Sequence, residues 1–125
     1  MAVLPEIACK AWENREGPVV LSTVNKNGMP NAIYVTCIKK ISEDKFVIAD
    51  NYFNKTRANI AHGSNGSLLF ITKEGKSYQI KGSFEYFTSG AIYDDMKTWL
   101  APKYPGEAAT VLHVEEVYSG ADKLL

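Results

Sequence analysis

The stretch VVLSTVNKNGMPNAIYVTCIKKI, Val19 to Ile41, decides the fold. Val19–Val24 and Asn31–Ile41 are rich in β-branched and aromatic residues, which suit a pleated, half-buried surface. Between them, Asn25-Lys26-Asn27-Gly28 reads as a hairpin turn, because an Asn-Gly pair tolerates the positive φ that a tight turn needs. Ser42-Glu43-Asp44-Lys45 turns the chain again, and Phe46–Ala49 follows as a third strand.

The same grammar recurs downstream. Ser67–Thr72 is a fourth strand, so apolar that it reads as central or buried on both faces. Lys73-Glu74-Gly75-Lys76 turns into a long fifth strand, Ser77–Phe87. There Tyr78, Ile80, Gly82, Phe84 and Tyr86 share one side at period two. Gly82 in mid-strand marks a bulge or a close approach of backbones. Ala109–Val117 is the sixth strand. Three helices flank these strands. Leu4–Asn14 carries Pro5 in its first turn. Lys55–Ala61 has Asn54 as its candidate N-cap. Ala91–Leu100 has an apolar stripe of Ile92, Met96, Trp99 and Leu100. Antiparallel hairpins dominate, so a small barrel is the natural closure of the sheet.

With 125 residues, the chain reads as one domain, residues 1–125. Lys and Arg number 14, as do Asp and Glu, so the net charge is zero. That balance argues against wrapping nucleic acid, which needs a basic excess. No apolar run approaches the ~20 residues of a membrane helix. The first ten residues show neither an apolar signal core nor a basic leader, so a cytoplasmic protein is expected. Cys9 and Cys37 stand alone, and His62 and His113 lie far from each other and from either cysteine. A metal site is therefore not expected. Serine-hydrolase, P-loop and dinucleotide-fold motifs are absent.

One stretch carries a candidate site: FVIADNYFNKTRANI, Phe46 to Ile60. A strand runs through a polar and aromatic link into a helix that starts Lys55-Thr56. The first amides of a helix lack internal partners, and the dipole adds partial positive charge there. Lys55 adds a full charge and Thr56 a hydroxyl. Two readings stand: a phosphate-sized anion site, or a capped surface helix with a solvated lysine.

The order helix, hairpin, NAIYVTCI, FVIADNYFNKTRANI, SLLFI, YQIKG resembles the FMN-binding split-barrel family related to pyridoxamine 5'-phosphate oxidase. The resemblance spans Trp12 to Leu125 and is closest to the small members that are little more than the barrel. It implies a mainly β (α+β) fold, a six-stranded antiparallel split β-barrel with short flanking helices. It implies a homodimer with FMN at the subunit interface. It implies that Lys55 and Thr56 hold the phosphate. The strand carrying Val35, Thr36 and Cys37 would run along the isoalloxazine ring, with backbone amides reaching its N5 and O4 edge. Ala49, Asp50 and Asn51 would bind the ribityl chain or pyrimidine edge, and Gln79 would face the cofactor pocket.

The resemblance also has a limit. The true oxidase is longer, and its basic, aromatic C-terminal section completes a pyridoxal phosphate site. After Val117 only eight residues remain here, with one Lys and no Arg. The expected function is a flavoprotein, an oxidoreductase or electron carrier working through flavin N5, with its small-molecule or protein redox partner unnamed. No side chain reads as a catalytic acid or base. The alternative is a binding protein without turnover, storing or sensing FMN or binding haem through His62 or His113. Tyr104, between two prolines, is expected to reach the partner's flavin. The Leu124-Leu125 tail is expected to cross the dimer and shield the cofactor.

Overall fold

The computed structural model describes residues 3–125. Three helices, α1 (Glu6–Glu13), α2 (Lys55–Ala61) and α3 (Ala91–Trp99), surround eight strands. These are β1 (Arg15–Val24), β2 (Pro30–Val35), β3 (Ile38–Ser42), β4 (Lys45–Asp50), β5 (Gly66–Thr72), β6 (Ser77–Phe87), β7 (Ala108–Ser119) and β8 (Asp122–Lys123). The path across the sheet is β2-β1-β5-β6-β7-β4-β3, with β8 paired to β7. Every pairing is antiparallel.

The two end strands of that path, β2 and β3, are consecutive in sequence. Only Thr36 and Cys37 separate them, so the curled sheet brings its two edges together at this dipeptide. This is a split barrel, as expected, with eight strands rather than six. The single strand expected over Asn31–Ile41 is two, because the chain changes partner partway along. Val35 pairs with Val19 on β1, whereas Ile38 pairs with Ile48 on β4. The eighth strand comes from the tail, which Gly120 (φ +56°) turns back onto β7.

The first hairpin forms as its residues dictate. Gly28 takes φ +84°, and the Asn25 side-chain oxygen accepts from the amides of Asn27 and Met29, both at 2.9 Å. Gly82 marks the expected close approach: a Cβ there would lie 1.8 Å from the carbonyl oxygen of His113, where the β6–β7 register shifts.

Two apolar clusters flank the sheet. Inside the barrel, Trp12 of α1 meets Phe46 and Phe70 edge to face, at 4.8 and 5.1 Å between ring centres. Outside, Met96 and Leu100 at α3 cover Val47, Ala49, Ala109 and Val111. Strands β4 and β7 are therefore buried on both faces, which explains their near-continuous apolar runs. Ser67–Thr72 was expected to be central or buried on both faces; it is central, between β1 and β6, but not buried on both faces. That strand alternates: Leu68 and Phe70 face the core, while Leu69 and Ile71 stay 42% and 46% exposed. Among the described residues, no α-helix packs over its outer side to match α3 on β4 and β7.

The tail does not extend away from its own fold. Leu124 and Leu125 amides donate to the Val117 carbonyl, and both side chains pack on the barrel core. Both leucines are partly buried against the chain's own core.

Candidate functional site

The split between β2 and β3 opens into a cavity of about 270 Å³. Val35, Thr36 and Cys37 form one wall, and Ala49 and Asn51 at the end of β4 form another. Tyr52, Phe53 and Tyr104 add aromatic faces. The site exists because the chain switches edges here. The Cys37 carbonyl accepts from the Ala49 amide at 2.9 Å, tying the two walls together. Among the described residues, the Thr36 and Cys37 amides have no backbone acceptor. The dipeptide has left one ladder and not yet joined the next, so its donors stay available to a ligand.

Five of the nine residues expected to hold a cofactor thus line one cavity. The other four fall elsewhere. Lys55 is exposed at the first position of α2, two residues past the Phe53 wall. Asn54 gives that helix no side-chain cap, contrary to expectation, because its backbone (φ −134°, ψ −82°) does not adopt the capping conformation. Thr56 is 2% exposed, and its hydroxyl oxygen accepts from Asn31 Nδ2 at 3.1 Å. It ties α2 to β2 more directly than it presents a donor to solvent. Gln79 lies outside the cavity, on the outer face of the sheet, in register with Leu69 and Tyr118.

Asp50 is fully buried, and its oxygens are committed within the chain. Arg57 Nε donates to Oδ2 at 2.8 Å and Arg57 Nη2 to Oδ1 at 3.0 Å. The Phe53 amide donates to Oδ1 at 3.0 Å, and the Tyr86 hydroxyl donates to Oδ2. Asp50 was expected to bind the ribityl chain or pyrimidine edge; its carboxylate is instead committed within the fold, each oxygen already taking two donors. Burial alone would raise the Asp50 pKa, but the hydrogen bonds from Arg57, Tyr86 and Phe53 outweigh it and hold the carboxyl below its usual range. Burial and the bond to Asp50 push the Tyr86 phenol upward. The Arg57 guanidinium is held more firmly charged by its bonds to Asp50 and Tyr86.

This ion pair escaped the reading of the sequence. A weak clue was present: an acid at the end of an apolar strand, followed seven residues later by an arginine inside a short helix. Tyr86, the third partner, comes from β6 and carries no local clue.

The network reaches the loop between α3 and β7. Arg57 Nη2 donates to Glu107 Oε2 at 2.9 Å, the Glu107 amide to the Asp50 carbonyl at 2.8 Å, and the Gly106 amide to Asn51 Oδ1 at 3.0 Å. These bonds fix the loop that puts Tyr104 into the cavity. Tyr104, expected to reach the partner's site, lines its own. Asn51 uses its oxygen on the loop, which leaves its amide nitrogen for a ligand.

The two histidines sit apart. His62 ends α2, and His113 on β7 contacts Glu85 on β6 at the barrel surface. Among the described residues no group of three metal-ligating side chains occurs. No described helix is long and apolar enough to cross a membrane.

An antiparallel barrel split at one crossover, with a cavity in the split, defines the class. The chain belongs to the pyridoxamine 5'-phosphate oxidase family, whose sequence pattern matches residues 6–121. An uncharacterized protein of Methanocaldococcus jannaschii is 31% identical over 121 residues, covering 93% of this chain and 80% of that one. The crystal structure of HupZ from Group A Streptococcus shares the fold at a TM-score of 0.80 and 24% identity, over 93% of each chain. An FMN-binding protein from Syntrophomonas wolfei does so at 0.72 and 20% identity, over 81% of this chain and 75% of that one.

Proposed function

We propose that the chain is an FMN-binding flavoprotein of the oxidoreductase or electron-carrier kind, acting as a homodimer. The observation that carries the reading is the cavity at the β2–β3 crossover, with two free backbone donors on one wall. A flavin ring offers acceptors along its N5 and O4 edge, and the Thr36 and Cys37 amides match that need. The Asn51 amide nitrogen suits a ribityl hydroxyl, and exposed Lys55 suits the phosphate. Bound FMN supplies hydride and single-electron chemistry. The protein orients it, donates hydrogen bonds and limits water.

Size supports the dimer. Small-molecule sites usually enclose about 300–1,000 Å³, and this open cavity offers about 270 Å³. The outer sheet face is the candidate for completing it. Tyr34, Val20, Leu69 and Gln79 stand in register across β2, β1, β5 and β6. Tyr34 is 77% exposed, and Leu69 and Ile71 keep large exposed areas. A continuous exposed apolar face of this kind marks a protein interface. Gln79 shares that face, so in a dimer it would approach the partner's cavity rather than its own.

An absorbance spectrum and gel filtration of the purified protein test both parts. Flavin bands at one per chain, in a dimer, are expected. Lys55→Ala should weaken FMN about tenfold, equivalent to ~1.4 kcal/mol. Leu69→Lys should give monomers with weaker FMN binding. A protein that stays colourless after FMN addition would sink the cofactor assignment.

A further inference from the structure

We infer that a groove between α1 and the β5–β6 turn binds an aliphatic monocarboxylate. The groove measures about 410 Å³ and shares no lining residue with the β2–β3 cavity. One wall is α1, whose Ile7, Lys10, Ala11 and Asn14 lie at the spacing that puts them on a single helical face. The other wall is the turn that carries Glu74 and Lys76, and Tyr78 joins it from β6. Asn14 ties the walls together. Its side-chain amide donates to Glu74 Oε1, and its carbonyl accepts from the Lys73 amide at 3.1 Å.

Tyr78 is the residue that calls for a ligand. It is 3% exposed, and its ring stacks on Phe70 with 5.7 Å between centres. Its hydroxyl has no hydrogen-bond partner among the described residues. The unpaired side-chain atoms sealed from solvent are Trp99 Nε1 and Thr110 Oγ1, and the Tyr78 hydroxyl is not one of them. The small accessible part of Tyr78 therefore includes its hydroxyl, at the wall of the groove. A phenol fixed in a buried stack, with its O–H free, is a positioned donor for an acceptor from outside the fold.

The charges around that donor set the class of acceptor. Lys10 lines the groove from one wall and Lys76 from the other, with Glu74 as the acid between the same walls. The lining carries one positive charge in excess, which suits a monoanion better than a dianion. Glu74 is already held by Asn14, and the pair of Lys10 with Glu6, at 3.3 Å, is largely exposed and yields readily. Ile7, 53% exposed, and Ala11 supply an apolar strip, to which the lysine stems add. The aromatic ring in the lining, that of Tyr78, is already stacked on Phe70, so an alkyl chain fits better than a second ring. From Ile7 to Asn14 the helix runs about 10 Å, close to the length of an extended eight-carbon acid.

Isothermal titration of the purified full chain with octanoate, in buffer free of other carboxylates, tests the site. Saturable binding at one per chain is expected. Tyr78→Phe should weaken octanoate about tenfold, the loss of one hydrogen bond to a charged acceptor. It should leave Tm unchanged, because the hydroxyl bonds nothing within the fold. Lys76→Gln, at an exposed position, should weaken octanoate severalfold, again with Tm unchanged, and keeps the test open if the phenylalanine variant folds poorly. Neither 1-octanol nor inorganic phosphate should bind in the same concentration range. The inference is overturned if octanoate does not bind, if either folded variant binds it as the wild type does, or if octanol or phosphate binds as tightly. Flavin absorbance reads FMN separately and should be the same in both variants, so failure here and failure of the cofactor reading are distinguishable.

Discussion

Arg57→Ala tests whether the buried ion pair holds the site together. Asp50 is fully buried, while the Arg57 side chain keeps 40% of its area exposed. Removing one partner of a fully buried pair costs about 3–5 kcal/mol, because a desolvated charge is left behind. A pair at the surface contributes only about 0–1 kcal/mol. Here water reaches one partner, and Asp50 retains its bonds from Tyr86 and Phe53. The expected loss therefore lies between the limits, at about 2 kcal/mol. At roughly 4 °C per kcal/mol for a chain of this length, that lowers Tm by about 8 °C.

The pH dependence gives an independent reading of the same pair. The folded pKa of Asp50 lies below its unfolded value of about 3.9. Its contribution is therefore full above that value and lost as pH falls through the folded pKa. Without Arg57, burial is opposed by fewer donors, the folded pKa rises, and acid unfolding should begin at higher pH than in the wild type. Urea denaturation from pH 7 downward, read by circular dichroism, measures both effects. In an Asp50→Asn background, Arg57→Ala should cost at least about 1 kcal/mol less, because the two residues are coupled. If the single variant stays within about 0.5 kcal/mol of wild type and their acid profiles overlay, the pair does not hold Asp50 and the reasoning fails.

Two further perturbations test the frame around the site. Gly82→Ala forces a Cβ into the His113 carbonyl; a loss of about 3 kcal/mol or more is expected in thermal unfolding, since neither backbone can yield cheaply. Removing residues 121–125 strips two partly buried leucines that pack against the barrel core, which should cost about 1–3 kcal/mol and leave FMN affinity unchanged. Loss of flavin from a truncated protein that still folds would restore a cofactor-shielding role for the tail.

Much of the fold was legible because its determinants are local. Asn25 and Gly28 build their own turn, and period-two burial on β6 reads directly from Tyr78, Ile80 and Gly82. What escaped is set by partners distant in sequence. Nothing between Asn31 and Ile41 interrupts the β-rich run, yet the strand ends at Val35 because its two partners, β1 and β4, are separated along the sheet path by β5, β6 and β7. Ser67–Thr72 and Phe46–Asp50 look equally apolar. Only the tertiary fold decides that α3 covers the outer face of β4 and leaves that of β5 bare. Asp50 carried the same ambiguity: an acid after a strand suits a ligand or a buried cation, and Arg57 decides for the cation.

The crossover that escaped the reading is also what makes the cavity. A continuous strand would have spent the Thr36 and Cys37 amides on a ladder, as β6 spends its own between β5 and β7. By leaving one edge before joining the other, the chain frees two donors and holds them between rigid strands. Preorganised donors on a scaffold need little rearrangement to bind. The Arg57–Asp50 pair serves the same end from the opposite wall, anchoring β4 to the loop that carries Tyr104. On this view the ion pair should matter to a ligand as well as to stability. In Arg57→Ala at a temperature where the protein stays folded, FMN affinity should fall while the Trp12 core signal is unchanged. Equal affinity in the two proteins would show that Asn51 and the Glu107 amide hold the loop without Arg57.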